Sequence, residues 1–120
     1  MIRIRLAVVA LVAGSALGLT AVAQAASTLT GVVGPGFTIT LTQGGKKVSA
    51  LKAGSYTIKI SDKSNIHNFH LTGPGVNKST SVAGTGSKTW KVTLKKGTYK
   101  YICTVPGHAT LGMKGSFKVT

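Results

Sequence analysis

The sequence predicts an all-β domain, a sandwich or barrel of short strands, behind an N-terminal export signal. Three observations predict it. Beyond residue 26 the apolar residues recur with period two, as in Phe37-Thr38-Ile39-Thr40-Leu41, Tyr56-Thr57-Ile58-Lys59-Ile60 and Trp90-Lys91-Val92-Thr93-Leu94. That spacing puts apolar side chains on one face of a strand and Thr or Lys on the other. Turn signals separate the runs, at Gly34-Pro35-Gly36, Gly44-Gly45, Gly54-Ser55, Gly73-Pro74-Gly75 and Lys96-Gly97. No stretch beyond residue 26 carries the 3.6-residue periodicity of an amphipathic helix of ten or more residues.

Taken in order, Met1 to Ala25 has Arg3 and Arg5, an apolar segment from Leu6 to Val22 and a small-x-small end at Ala23-Gln24-Ala25, the three parts of a secretory signal peptide. An uncleaved membrane anchor is the alternative, since the apolar run approaches the ~20 residues that span a bilayer. Gly14, Ser15, Gly18 and the Ala-Gln-Ala end favour cleavage near Ala25. Residues 26–120 then form one domain, whose strands are expected at about 27–33, 37–43, 46–51, 55–61, 66–72, 79–83, 86–94, 98–103 and 113–119. Gly73 to Ser79 and Gly84 to Ser87 are expected as loops, and Trp90, the only tryptophan, as a core residue between sheets.

Charge and cysteine content narrow the function. Both arginines lie in the signal, so 13 of the 15 basic residues remain after its removal, all lysines, against the single acid Asp62: a formal +12. Such an excess steers a protein towards an acidic partner or an anionic envelope surface; it also serves solubility and edge protection. Nucleic acid is disfavoured by export and by the absence of arginine. With Asp62 the only carboxylate side chain, there are no paired acids for glycoside hydrolysis and little basis for an Asp-supported triad, so no enzyme is expected. Cys103 stands alone in an exported chain and cannot form an internal disulfide. It is either a small buried hydrophobe or a ligand.

The neighbours of Cys103 favour the ligand. His108 follows five residues on and Met113 five further, with Pro106, Gly107 and Gly112 turning the backbone between them. Thiolate, imidazole and thioether on one loop form a soft to borderline donor set that suits copper better than a hard cation. A fourth donor is available at Ser64-Asn65-Ile66-His67-Asn68-Phe69-His70-Leu71, where His67 begins a strand at one end of the sheet. His70, three residues later, lies on the other side of a period-two strand and is read as a non-ligand. Phe69 shares the side of His67 and can pack beneath the site. Two histidines, a thiolate and a weak thioether match the blue-copper arrangement, in which two imidazoles and a thiolate lie in a trigonal plane with a long axial Met.

On these residues the chain resembles the cupredoxins, the small blue copper proteins. The loop Cys103-Thr-Val-Pro-Gly-His108-Ala-Thr-Leu-Gly-Met113-Lys-Gly is similar to that of auracyanins and azurins, and His67-Asn68 to the family's upstream ligand and the asparagine after it. The resemblance implies a Greek-key β-sandwich holding one type 1 copper ion. It implies His67, Cys103 and His108 as equatorial ligands, Met113 as the axial ligand, and Asn68 tying the two ligand loops together with a hydrogen bond towards the cysteine sulfur. The four residues between His108 and Met113 exceed the azurin three and match the auracyanin-like pattern. Azurin's disulfide is absent, and acidic docking patches like those of plant plastocyanins are impossible with one acid.

The expected function is that of a periplasmic or secreted one-electron carrier. A copper carrier, chaperone or storage protein that delivers the ion is the alternative, and a structural or adhesive sandwich with an incidental ligand cluster is a third reading. His108, flanked by Gly107 and Ala109, is the expected exit for the electron, with Val105, Pro106, Ala109 and Leu111 as a docking patch. The expected partner is an acidic redox protein such as a cytochrome or a terminal oxidase or reductase, met by a monomer.

Overall fold

Period-two patterning and closely spaced turns give ten short strands in two five-stranded sheets. The computed structural model describes residues 27–120; the signal expected over residues 1–25 lies outside the described residues. The strands are β1 (Ser27–Val33), β2 (Ile39–Gln43), β3 (Lys46–Lys47), β4 (Ala50–Leu51), β5 (Gly54–Asp62), β6 (His70–Gly73), β7 (Val76–Ser79), β8 (Gly86–Leu94), β9 (Gly97–Ile102) and β10 (Lys114–Val119). One sheet runs β3-β2-β1-β5-β8 and the other β4-β10-β9-β6-β7. The chain passes between them repeatedly, so β5 pairs with β1, and β10 with β4, in parallel, while the other pairs are antiparallel. This is an all-β sandwich, as expected.

Strands β1 and β8 fall where they are expected, and several other expectations change. The strand expected over 46–51 is two: β3 stays on the first sheet and β4 joins β10 on the second. The loop expected from Gly73 to Ser79 is a hairpin, since β7 pairs with β6 through Gly73↔Val76. Residues 80–83, expected as strand, lie outside the sheets. Only Val76 of β7 is buried, so no alternation announced that strand.

The core forms where the inner faces meet. Leu29, Leu41, Ile58 and Ile60 from the first sheet share one cluster with Leu71, Tyr99, Tyr101 and Phe117 from the second, each aliphatic or aromatic side chain contributing ~1.5–3 kcal/mol when removed from water. Phe69 stacks on Tyr101 at 5.4 Å and Tyr99 on Phe117 at 5.2 Å between ring centroids. The Tyr99 hydroxyl accepts from Lys95 N at 3.0 Å and donates to the Pro74 carbonyl at 2.7 Å, a tyrosine corner tying two connections of the sandwich. Gly115 lies flat on the Tyr101 ring, where a Cβ would collide with it. Trp90 is half-buried and meets Phe69 edge-on at 6.1 Å, at the margin of the core.

Register brings three connections to one end. β1 and β5 run in parallel and finish together at Val33↔Asp62, while β6 begins beside the end of β9, at His70↔Ile102. Segments 34–38, 63–69 and 103–113 therefore share that end of the sandwich.

Candidate metal centre

The upstream histidine is held by a turn rather than by a strand. β6 starts at His70, so His67 precedes the sheet, correcting the strand expected from residue 66. Side chains that compete for backbone hydrogen bonds explain the delay. Asp62 Oδ1 accepts from Ser64 N at 3.0 Å, and Ser64 Oγ accepts from Ile66 N at 3.2 Å. The turn is packed from outside by Gly34, whose φ is +67° and whose Cβ, were there one, would lie 2.9 Å from Ser64 Cβ and 3.3 Å from His67 Cδ2. Only glycine fits both that backbone and that space. Farther on, Phe69 N donates to Thr80 Oγ1 at 2.8 Å, and Thr80 N to Phe69 O at 3.0 Å.

The downstream loop is braced by its own backbone. Cys103 N donates to Met113 O at 3.1 Å and Met113 N to His108 O at 3.2 Å, so three candidate donors are linked by two main-chain bonds. Further turns, His108 N to Val105 O at 3.0 Å and Gly112 N to Ala109 O at 3.0 Å, fold the stretch between them. Cys103 and Met113 are buried and His108 is half-buried.

Asn68 joins the two loops. Its Oδ1 accepts from Thr104 N at 2.8 Å, and its Nδ2 donates to Thr104 Oγ1 at 2.9 Å and to Ser79 Oγ at 3.1 Å. Both amide protons are thus engaged by hydroxyls, and the side chain makes its bonds there rather than to the cysteine sulfur.

These supports bring His67, Cys103 and His108 together as a potential metal cluster. The two Nδ1 atoms are 2.9 Å apart, and Cys103 Sγ lies 3.9 Å from the Nδ1 of His67 and 3.6 Å from that of His108. A triangle with these sides is acute, and the point equidistant from its corners lies inside it, about 2.0 Å from each donor. First-row metals bind imidazole nitrogen at ~2.0–2.1 Å and thiolate at ~2.3 Å, so spacing and donor chemistry both fit one ion in a trigonal setting of two nitrogens and a sulfur. Copper is the first-row ion whose trigonal sites use this donor set. His70 stands apart, its Nε2 2.7 Å from Asn77 Oδ1.

Phe37 and Ile66 join the expected Leu111 around the donors, and neither is expected there from the sequence. Phe37, expected as the first apolar residue of a strand, is 47% exposed. Its ring meets His67 edge-on at 5.3 Å and His108 at 5.0 Å; the Gly34-Pro35-Gly36 turn just before it is the only signal that could have marked it. Ile66 and Leu111 are the other large hydrophobics exposed among the described residues, one adjoining His67 and the other on the ligand loop. Below the donors Asp62 is buried, and the loss of water pushes its carboxyl above the ordinary 3.8, against the opposing pull of the Ser64 amide and of His67.

Comparison with known proteins agrees with the donor set. Residues 45–120 match the family of copper binding proteins of the plastocyanin/azurin type. No curated protein sequence matches the chain. Among solved structures, reduced rusticyanin superposes with a TM-score of 0.58 at 22% identity, covering 81% of this chain and 82% of that one. Auracyanin from Roseiflexus castenholzii gives a TM-score of 0.57 at 20% identity over 81% and 99%. Rusticyanin from Thiobacillus ferrooxidans gives 0.56 at 24% over 78% and 76%. At these identities the structural likeness establishes the fold.

Proposed function

Because this chain belongs to the plastocyanin/azurin family of copper-binding proteins, we propose that it is an exported electron carrier. In this reading His67 Nδ1, Cys103 Sγ and His108 Nδ1 would hold the ion, with the Met113 thioether as a weaker fourth donor. The observation that carries it is the acute triangle of two imidazole nitrogens and one sulfur, with room for one ion. Bound there, copper supplies a one-electron couple.

The chain's own residues supply the rest. A donor set useful to both oxidation states has to stay in place when the charge changes. The Cys103–Met113–His108 backbone bonds and the Asn68 bridge to Thr104 hold it there. Cys103 gives up its proton as the metal binds, and burial keeps water from the sulfur. Half-buried His108 is the donor nearest solvent, so an electron would pass through its ring. Phe37 and Ile66 supply apolar surface at that end for transient docking, joining the expected patch residues Val105, Pro106, Ala109 and Leu111. Lysines without acidic counterparts hasten encounters with an acidic redox protein, or hold the carrier near an anionic envelope surface, and act mainly on association rate.

Delivery of the ion is less well supported than delivery of the electron. Cys103 and His67 are each 1% exposed and Met113 is fully buried, which slows ligand exchange with an acceptor. The test is the visible spectrum after adding Cu(II). An intense thiolate-to-copper band that vanishes in Cys103→Ala supports the site, and a colourless wild-type protein refutes it. Met113→Gln should keep the colour and shift the potential; loss of all copper binding would contradict an axial role. Copper retained through repeated redox cycles in the presence of a Cu(I) acceptor separates carrying electrons from delivering copper.

A further inference from the structure

Asp62 is the one acid of the chain, and it is buried to 5% exposure beneath the metal centre. Its Oδ1 is used by Ser64 N, and its Oδ2 has no hydrogen-bond partner. One other buried side-chain polar atom among the described residues is unpartnered: His67 Nε2. The two are complementary. With His67 Nδ1 given to a metal, the neutral imidazole carries its proton on Nε2, leaving a buried donor on one residue and a buried anionic acceptor on the other.

Both belong to one piece of structure. Asp62 shapes the turn through Ser64, and Ser64 shapes the approach to His67 through Ile66 N. A Cβ on Gly34 would lie 3.3 Å from His67 Cδ2, the ring carbon bonded to Nε2, and 2.9 Å from Ser64 Cβ, so Gly34 packs both on that edge of the imidazole and on the turn Asp62 closes. A hollow of about 80 Å³ beside Asp62, bordered by Thr80, Gly84 and Lys88, does not reach His67, so the carboxylate acts on the imidazole through its charge rather than through a water held there. Metal-bound histidines ordinarily give their second N–H to a carboxylate, a carbonyl or water.

Resting on the copper reading above, we propose that Asp62 is a positioning residue for the upstream ligand, its buried carboxylate serving as the electrostatic counterpart of His67 Nε2–H and biasing the site towards its oxidised state. Reduction adds one electron and no proton, Asp62 remaining ionised. A negative charge behind a ligand therefore opposes the added electron. At an effective dielectric constant of ~20, a unit charge in that position biases a one-electron equilibrium by roughly tenfold, or ~59 mV.

Asp62→Asn and Asp62→Ala in the full chain separate charge from shape. The Asn variant keeps an oxygen for Ser64 N and should fold and turn blue with Cu(II). Its Cu(I) to Cu(II) ratio at fixed applied potential should rise roughly tenfold in voltammetry. In the diamagnetic Cu(I) form, the His67 Nε2–H followed by 1H–15N NMR should exchange with solvent at least several-fold faster than in wild type. The Ala variant should show both effects together with a displaced His67 signal. Wild-type potential and wild-type exchange in a blue Asn variant overturn the proposal and leave the copper reading intact, with Asp62 reduced to a turn former. A wild-type chain that never turns blue overturns the copper reading itself.

Discussion

The bridge made by Asn68 is the point where one truncation should reveal how the two ligand loops depend on each other. Asn68→Ala removes the bonds at 2.8, 2.9 and 3.1 Å to Thr104 N, Thr104 Oγ1 and Ser79 Oγ. The costs are unequal. Ser79 Oγ keeps its own bond to Thr80 O at 2.9 Å, and the exposed Thr104 side chain can turn its hydroxyl to water. The Thr104 amide, by contrast, loses its acceptor in a partly buried position, a loss of ~1–3 kcal/mol by itself. Allowing a few tenths for each hydroxyl, the metal-free protein should lose about 1.5–3.5 kcal/mol, or a Tm lower by roughly 6–28 °C for a domain of this size. Urea and thermal unfolding of the metal-free protein measure this. Stopped-flow chelation of copper should show faster release, because Thr104 adjoins Cys103 and Asn68 adjoins His67. A loss below about 0.5 kcal/mol with unchanged copper release would refute the view that this side chain couples the loops.

Other consequences of the same packing can be measured separately. Tyr99→Phe deletes the hydroxyl that joins Pro74 O to Lys95 N, and should cost ~1–2 kcal/mol in urea unfolding without changing the visible band. Gly34→Ala forces a side chain onto Ser64 and His67 at a φ of +67°; it should weaken copper binding in a competition titration more than it weakens the fold. The pH dependence of the metal-free protein follows from Asp62. Burial raises its carboxyl above 3.8, so the folded state holds this proton more tightly than the unfolded chain does. That contribution is complete below the unfolded value and is lost as pH rises through the folded one. Urea unfolding from about pH 3.5 to 7 should therefore show wild type losing stability relative to Asp62→Asn as pH rises, and a relative gain instead would contradict the sign.

Most of the scaffold was legible because burial on one face leaves an alternating trace. Tyr56, Ile58 and Ile60 of β5 are buried while Ser55 and Lys59 are exposed, which is the pattern the sequence displays. Where the trace failed, a local interaction had displaced it. Residues 63–66 look like the approach to a strand, but the Asp62 and Ser64 side chains take the backbone amides and delay β6 to His70. β7 buries only Val76, so its pairing is set by the neighbouring β6 and not by its own pattern. The convergence of His67, Cys103 and His108 followed from residue chemistry and loop placement. The position of Phe37 over two imidazoles did not, because it depends on how a Gly-Pro-Gly turn bends at the end of β1.

The site and the core meet along β9. Tyr99, Tyr101 and Cys103 lie on the inward face of one period-two run, each buried to 1% exposure or less. Tyr101 stacks on Phe69, and Phe69 directly follows the asparagine that grips Thr104, so the aromatic stack and the Asn68 bridge fix the same two segments one layer apart. A strand register slip of one residue would turn Cys103 outward with both tyrosines, exchanging a donor for a disrupted core. The sulfur's placement is thus enforced by the energetics of the whole sheet. Fine control of the metal is left to short-range contacts at the rim, where Gly34 and Phe37 pack on the imidazoles and Asp62 shapes the turn that leads to His67, and it is substitutions there that should alter copper properties at little cost to the fold.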